Sequence, residues 1–469
     1  MHQPLAHDRE DFRRLLDLAA DYGAAYLERI DALPAAIPYA PPAFNRLADA
    51  GLGGEATLRQ FAARFGDAMP ASNGPRFWGF VTGGTTPASV MGDWLASVYD
   101  VNMPVRENSP APGIEDEAIA MLRDLFGLPD AFSGTFVSGA TMANLTGLAT
   151  GREWLAAQRG MSVARDGLGV LPRIRVLSGE PHSSSIKALS ILGIGRASVT
   201  HVPVLPDDRE AVDLPALARA LQSDPGAPTL VIANAGTVNT VDFDDLRAIA
   251  AMRAITPFWL HVDAAFGGFA ACSPRFADRV DGLALADSIT IDAHKWLNVP
   301  YDSAMAFTRH PALQAQVFQN TAAYIGDVGD PPDYVHMAPE SSRRLRALPA
   351  WFSLTAYGRS GYRAMVEQCC DCAADLASRI EGSNQFRLLA PARMNVVCFT
   401  LNDEPTAERV ARFAAALRDD GRVFLTPTRF KGVPGLRAAF SNWRTTPSDV
   451  ALGWEAFCAV VSRLSPDSG

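Results

Sequence analysis

The chain contains no run of about 18 consecutive apolar residues, so no membrane-spanning helix is expected from it. It carries no excess of positive charge. Lys and Arg number 42 against 51 Asp and Glu, a formal net charge of -9, and a basic stripe for nucleic acid is not expected. The opening MHQPLAHDREDF has no apolar core behind a basic start, as a secretory leader would, and a cytoplasmic protein is expected. Cysteine is scarce: six in 469 residues do not make a disulfide scaffold. Cys369, Cys370 and Cys372 cluster, but inside the helical pattern YRAMVEQCCDCAADLASRI with no histidine near in sequence, so a structural role is expected there. The eight histidines include no HExxH or paired metal spacing, and no metal is expected. A GxxxxGK[ST] phosphate loop, an internal repeat and a low-complexity linker are also lacking.

What is present is an ordinary globular composition, 48% hydrophobic and 20% charged, in a chain long enough for one large domain and a smaller one. Residues 8–31 repeat apolar side chains at helical spacing (Phe12, Leu15, Leu16, Ala19), a proline-rich break follows from Pro34 to Pro42, and 55–68 read as a second helix. Further on, short apolar runs alternate with helical patterns. Strands are predicted at 135–137, 174–177, 199–204, 229–233, 258–262, 288–291 and 304–308. Such alternation implies an α/β fold with a mostly parallel sheet covered on both faces. A long helical stretch over 342–380, interrupted near Pro349, leads to a strand–helix–strand–helix tail. The expected division is an N-terminal helical segment, 1–85, a large domain, 86–345, and a small C-terminal α/β domain, 346–469.

Four motifs carry chemistry. In SITIDAHKWLNVP a buried-looking strand ends at Asp292, and His294 and Lys295 follow. Burying an ammonium is unfavourable, and a lysine so placed becomes a nucleophile able to form an imine with an aldehyde. In FWLHVDAAFGG another strand runs into Asp263, whose carboxylate would face the crevice at the strand's carboxyl end; helix capping is an equal alternative. Pyridoxal phosphate needs such a carboxylate to keep its ring nitrogen protonated, and the small Ala265 would let a flat ring lie against the backbone. In TFVSGATMANLTGL a strand meets Ser138, Gly139, Ala140 and Thr141 before a helix, a setting that suits a phosphate. In SGEPHSSSIKAL, His182 lies between a strand and a helix, where an imidazole can stack on a ring or serve a purely structural purpose. Each motif is ambiguous alone; their order in the chain is much less so.

Together these motifs resemble the group II pyridoxal-phosphate-dependent amino-acid decarboxylases, which include aromatic-amino-acid, glutamate and cysteine-sulfinate decarboxylases. The resemblance runs from PRFWGFVTGGTTPASVMGDWL through HVDAAFGG and DAHKWL to SNWRTTPSDV. It implies a fold-type-I enzyme, a homodimer with active sites at the subunit interface, and pyridoxal 5'-phosphate held as an imine on Lys295. By the same resemblance Asp263 pairs with the ring nitrogen, and His182 and Ala265 take opposite ring faces. Ser138, Gly139, Ala140, Thr141 and His294 line the phosphate site, while Thr237 lies near the ring substituents. Asp292 stands where the family often has asparagine. Residues 326–340, GDVGDPPDYVHMAPE, match a mobile loop that ends in the pair Arg343–Arg344. Tyr334 falls where some members carry a tyrosine that returns a proton after CO2 leaves; its replacement by phenylalanine is common in related aldehyde synthases. DVNMPVRENSPAP matches the substrate-pocket region. Asn102 and Arg106 there, with Phe80 from the aromatic cluster upstream, are the candidate substrate contacts. The loop favours an aromatic substrate, whereas NMPVRE looks closer to the branch acting on acidic amino acids. The expectation is decarboxylation of an L-amino acid to its amine. An acidic-substrate decarboxylase and an aldehyde synthase are the alternatives on this scaffold, and a non-catalytic binding protein is the alternative outside it.

Overall fold

The computed structural model describes residues 2–464 except 41–42, 44–45, 103–105, 107–108 and 321–327. Among the described residues one seven-stranded sheet dominates: β1 (Ser133–Val137), β2 (Arg175–Ser178), β3 (Val199–His201), β4 (Thr229–Asn234), β5 (Trp259–Asp263), β6 (Ser288–Asp292) and β7 (Ala304–Thr308). Their spatial order is β1-β7-β6-β5-β4-β2-β3. The pairs from β3 through β6 are parallel, and β7 runs antiparallel to both β1 and β6. Every residue of β4, β5, β6 and β7 is buried, because helices cover both faces. That is why these strands read as continuous apolar runs rather than alternating ones.

A second sheet, antiparallel throughout, is made of β8 (Phe386–Leu388), β9 (Val396–Leu401), β10 (Thr426–Phe430) and β11 (Val433–Ala439) in the order β10-β11-β9-β8. It packs with helices Ala407–Asp420 and Pro447–Leu464, and Phe386, Phe399, Phe413 and Phe457 form the aromatic centre of that layer. The N-terminal segment crosses to this sheet: Trp78 N–H donates to the Phe424 carbonyl and Ala439 N–H to the Trp78 carbonyl.

The structure departs from the sequence reading in three places. The strand expected over 199–204 ends at His201, since Pro203 has no N–H to extend the ladder and Val204 makes only an isolated bridge to Val212. The first helix is two, Gln3–Glu10 and Phe12–Arg29, interrupted at Asp11. The long helix Ala347–Glu381 is not broken at Pro349, which lies in its first turn where a missing N–H removes no intrahelical bond. The break falls at Gly358, with φ 56° and ψ -174°. Cys369, Cys370 and Cys372 are buried in that helix as free thiols, and burial pushes Cys369 and Cys372 up to about 12. Among the described residues no group of His, Cys, Asp and Glu is arranged to hold a metal ion, and no helix is long and apolar enough to cross a membrane.

Candidate active site

The adjacent parallel strands β4, β5 and β6 end at Asn234, Asp263 and Asp292, all at the carboxyl edge of the sheet. Crevices of open α/β sheets form at that edge. A cavity of about 470 Å³ lies there, and Phe80, His182, Thr237, Asp263, Ala265 and Lys295 line it. Six of the residues singled out from sequence are thus brought to one space.

Lys295 follows β6 in a tight connection, and its Nζ sits 2.7 Å from Asp292 Oδ2. The other carboxylate oxygen of Asp292 accepts the backbone N–H of Ala140 at 2.7 Å. Asp292 therefore joins the lysine to the first residue of helix Ala140–Ala157, whose N-cap is Gly139. His294 is close by: its Nε2 is 3.6 Å from Asp292 Oδ2, its Nδ1 bonds the Ser303 carbonyl, and its ring stacks on Tyr301 with centroids 4.2 Å apart. Burial lowers the His294 pKa and favours its neutral form. Ser138, Gly139, Ala140 and Thr141 are accordingly gathered at the helix terminus beside Lys295, where the dipole favours an anion.

Asp263 is 6% exposed. Its Oδ1 accepts the Ala265 N–H at 3.2 Å, and its Oδ2 accepts from Asn144 Nδ2 at 3.0 Å and Ser185 Oγ at 3.4 Å. Three donors hold the carboxylate in one orientation. His182 caps the helix Ser183–Ile191, with Nδ1 2.6 Å from Ser184 Oγ. Burial lowers its pKa, reinforced by Lys295 and Arg437 and opposed by Asp263 and Asp292. Thr237 lines the cavity, but its hydroxyl donates to Glu210 Oε2 at 2.5 Å; the same oxygen accepts from Thr240 Oγ1 at 2.7 Å.

The remaining candidates lie elsewhere. Tyr334 is buried in a second pocket, where its hydroxyl donates to Asp116 Oδ1 at 2.8 Å and the guanidiniums of Arg106 and Arg343 lie over its ring. Burial, with Glu115 and Asp116, raises its phenol pKa well above the ordinary value. Arg106 pairs with Asp116 and Asp333 in that pocket and does not line the Lys295 cavity. Asn102 is exposed and lines neither pocket; Pro104 and Glu107 of the same motif fall outside the described residues, as do 326 and 327 of the loop. Arg343 anchors the far end of the loop: it is buried against Glu115 at 2.9 Å and donates to the Phe136 carbonyl at 2.7 Å.

Sequence reasoning missed Arg437, Glu210 and Asn144. Arg437 projects from β11 of the small sheet into the cavity, donates to the Val238 carbonyl, and has a buried Nε with no partner. A lone arginine in the apolar run GLRAAF was the available signal. The donor set fits pyridoxal phosphate: an amine, a carboxylate fixed by three donors, an imidazole and a small residue line one cavity, and a helix terminus for the phosphate lies beside the lysine, linked to it through Asp292, although Ser138, Gly139, Ala140, Thr141 and His294 do not themselves line that cavity.

Residues 67–402 match the family model of the pyridoxal-dependent decarboxylase conserved domain. The chain is 28% identical to an aromatic-L-amino-acid decarboxylase of Bacillus atrophaeus over 391 residues, 80% of this chain and 79% of that protein. Its fold is similar to that of Oryza sativa TDC crystallised with PLP and tryptamine (TM-score 0.88, 22% identity, 97% and 99% of the two chains). It is also similar to that of mouse CSAD (TM-score 0.86, 21% identity, 97% and 99%). The fold is therefore type I, pyridoxal phosphate is the cofactor, and the chain belongs to the pyridoxal-dependent decarboxylase family of amino-acid carboxy-lyases.

Proposed function

We propose that the protein decarboxylates an aromatic L-amino acid to its amine, working as a cytoplasmic homodimer. The observation that carries this reading is the convergence of Lys295, Asp263 and His182 on one cavity at the carboxyl edge of the sheet. Bound there, the cofactor supplies an electron sink for the bond that breaks at the substrate's α-carbon. Lys295 binds it through Nζ, and Ser138, Gly139 and Thr141, which flank the Ala140 amide taken by Asp292, receive its phosphate with His294. The Asp263 carboxylate holds a proton at the ring nitrogen, and His182 and Ala265 confine the ring. Arg437, with its unpartnered Nε, orients the substrate carboxylate. Phe80, Val81 and Phe266 line the same space, which suits an aromatic side chain. The Bacillus relative points to the same class. Arg106 is engaged by Asp116 and Asp333, which removes the main reason to expect an acidic side chain.

Exposed apolar surface supports the dimer. Met91, Trp94 and Val98 lie at helical spacing on Pro87–Tyr99 and remain exposed, Trp94 by 45%, as do Phe80 at the cavity and Tyr301 in an adjoining pocket that Phe80 also lines. Helices Gln3–Glu10, Phe12–Arg29 and Gly54–Phe65 bury no residue within the chain, although Phe12–Arg29 has an apolar face. A second copy would cover both surfaces. Tyr334 lies outside the cavity of its own chain, and as a phenol that keeps its proton it acts as the proton donor to the partner's cavity. The free cysteines accord with a reducing compartment.

The test is product analysis by mass spectrometry. Cofactor-loaded protein is incubated in air with aromatic, acidic and basic amino acids, with Lys295→Ala as the control. An amine from the aromatic set alone, absent with Lys295→Ala, is expected. Amine from the acidic set alone, or aldehyde with peroxide, would overturn the assignment.

A further inference from the structure

The histidine of HVDAA has no part in the chemistry above, yet it is completely buried in the centre of the sheet. Alternation along β5 puts Trp259, His261 and Asp263 on one face, and β6 presents Ser288, Thr290 and Asp292 in register, His261 opposite Ser288. Helix Ala140–Ala157 crosses this face. A Cβ at Gly147 would come within 2.9 Å of the His261 ring and Ser288 Oγ, and one at Gly151 within 2.7 Å of the Trp259 indole. Two glycines one helical turn apart thus let the helix settle directly on these polar groups, with Asn144 one turn earlier.

The bonds form one continuous chain. Trp259 Nε1 donates to Ser288 Oγ at 3.0 Å; Ser288 Oγ and His261 Nδ1 are 2.8 Å apart; His261 Nε2 and Asn144 Oδ1 are 2.9 Å apart. Asn144 Nδ2 then donates to Asp263 Oδ2 and to Ser184 Oγ, both at 3.0 Å. The carboxylate at one end fixes every direction, because it can only accept. Asn144 must turn its NH2 toward Asp263, so its oxygen accepts from His261 Nε2–H, and His261 Nδ1 accepts the Ser288 hydroxyl. Burial pushes His261 down to about 4, which keeps it neutral and able to play both parts. On the second branch, Ser184 accepts from Asn144 and gives its own proton to His182 Nδ1, which also accepts the Ser184 N–H at 3.3 Å. The His182 proton is thereby held on Nε2.

We infer that Asn144 is a positioning residue whose two amide protons set the Asp263 carboxylate and the His182 tautomer together, with Trp259, Ser288 and His261 fixing the amide from behind. The inference rests on the reading that Asp263 and His182 face the cofactor. Apart from His182, which is exposed in this chain, its members come from β5, β6, helix Ala140–Ala157 and the start of helix Ser183–Ile191 and are buried. The charged groups bearing on His182 from other elements are Asp263, Lys295, Arg437 and Asp292.

Asn144→Leu removes both protons at similar volume. A carboxylate that loses a donor has more negative charge left for its other neighbours. In the loaded enzyme the pH midpoint of the cofactor's visible absorbance is expected to rise by about one unit. The acid limb of kcat/KM should move up with it, and kcat should fall about 10- to 100-fold with KM little changed. Ser184→Ala cuts only the His182 branch, so it should move the acid limb and leave the absorbance midpoint in place. A folded Asn144→Leu with both midpoints unmoved would overturn the inference. Should that variant not fold, Ser288→Ala loses one hydroxyl at the far end of the chain and should raise the absorbance midpoint by a smaller amount; an unmoved midpoint there is equally decisive. The underlying reading fails differently: wild-type protein would then show no visible band that Lys295→Ala abolishes.

Discussion

The wall of the cavity and the loop that ends at Arg343 place their functional side chains by different means. On the wall, Asp263, Asp292 and Lys295 leave the ends of fully buried strands, and each carboxylate is held by backbone amides or neighbouring side chains. On the loop, Tyr334 follows a stretch of Gly, Asp and Pro; its hydroxyl has one hydrogen bond, to Asp116, whose carboxylate is half exposed, and its ring lies under Arg106 and Arg343. The wall is organised by sheet register, which a single chain completes. The loop is anchored by single buried side-chain contacts, Arg343 on Glu115 and Gln314 on the Met337 carbonyl. A site built in this way has a wall fixed by register and a loop tyrosine fixed only by side-chain contacts.

The largest effect expected from breaking this contrast is a change of product. Tyr334→Phe should shift the output from amine toward aldehyde. Mixed dimers of Tyr334→Phe with Lys295→Ala should regain amine, since the intact lysine would be served by the intact tyrosine of its partner. Mass spectrometry of the mixture reads this directly, and a mixture with no more amine than Tyr334→Phe alone would confine the donor to its own chain.

Next in size is the anchor. Arg343→Leu leaves the Glu115 carboxylate buried with only the Phe136 N–H and the Thr135 hydroxyl, so a loss of about 3–5 kcal/mol is expected in urea unfolding. Replacing both partners by leucine should recover most of it. A single variant as stable as wild type would mean that the loop does not depend on this pair.

The smallest effect is on the wall. The folded-state pKa of His261 is lowered to about 4 from 6.5, so between those values the unfolded chain takes up a proton that the native state refuses. Its contribution is complete above pH 6.5 and is lost progressively as pH falls toward 4. Asp244, raised to about 6, acts in the opposite sense, gaining stability for the native state as pH falls from about 6 toward 3.8. Only the difference between proteins isolates His261. Urea midpoints of wild type and His261→Gln should converge as pH drops from 6.5 to 4, and parallel curves would show that His261 does not titrate as a buried neutral group.

Much of the wall was legible in the sequence because strands buried on both faces leave unbroken apolar runs, and an acid or lysine at the end of such a run is conspicuous. Strand 304–308 was placed to the residue, and the others differ mainly at their ends. Asn144 was not legible, since its partner Asp263 lies 119 residues away and helical spacing alone does not say which strand a polar side chain meets. The partners of Arg106, a candidate substrate contact, were not legible for the same reason: its charge is visible in sequence, but the acids that pair with it, Asp116 and Asp333, are fixed by the fold. Pro349 drew attention as a helix breaker because its position within the first turn was not knowable, while Gly358, an unremarked glycine, accommodates the positive φ.

Arg437 has a consequence beyond its charge. Among the charged side chains lining the cavity it alone comes from the small sheet, on a strand paired to β9, and β9 carries Phe399 into the aromatic stack with Phe457. The C-terminal helix Pro447–Leu464 thus acts as a setscrew: its seating against that stack fixes how far a guanidinium reaches into a pocket built almost wholly by the other domain. Tolerances in a remote hydrophobic layer become tolerances in where that guanidinium sits in the cavity.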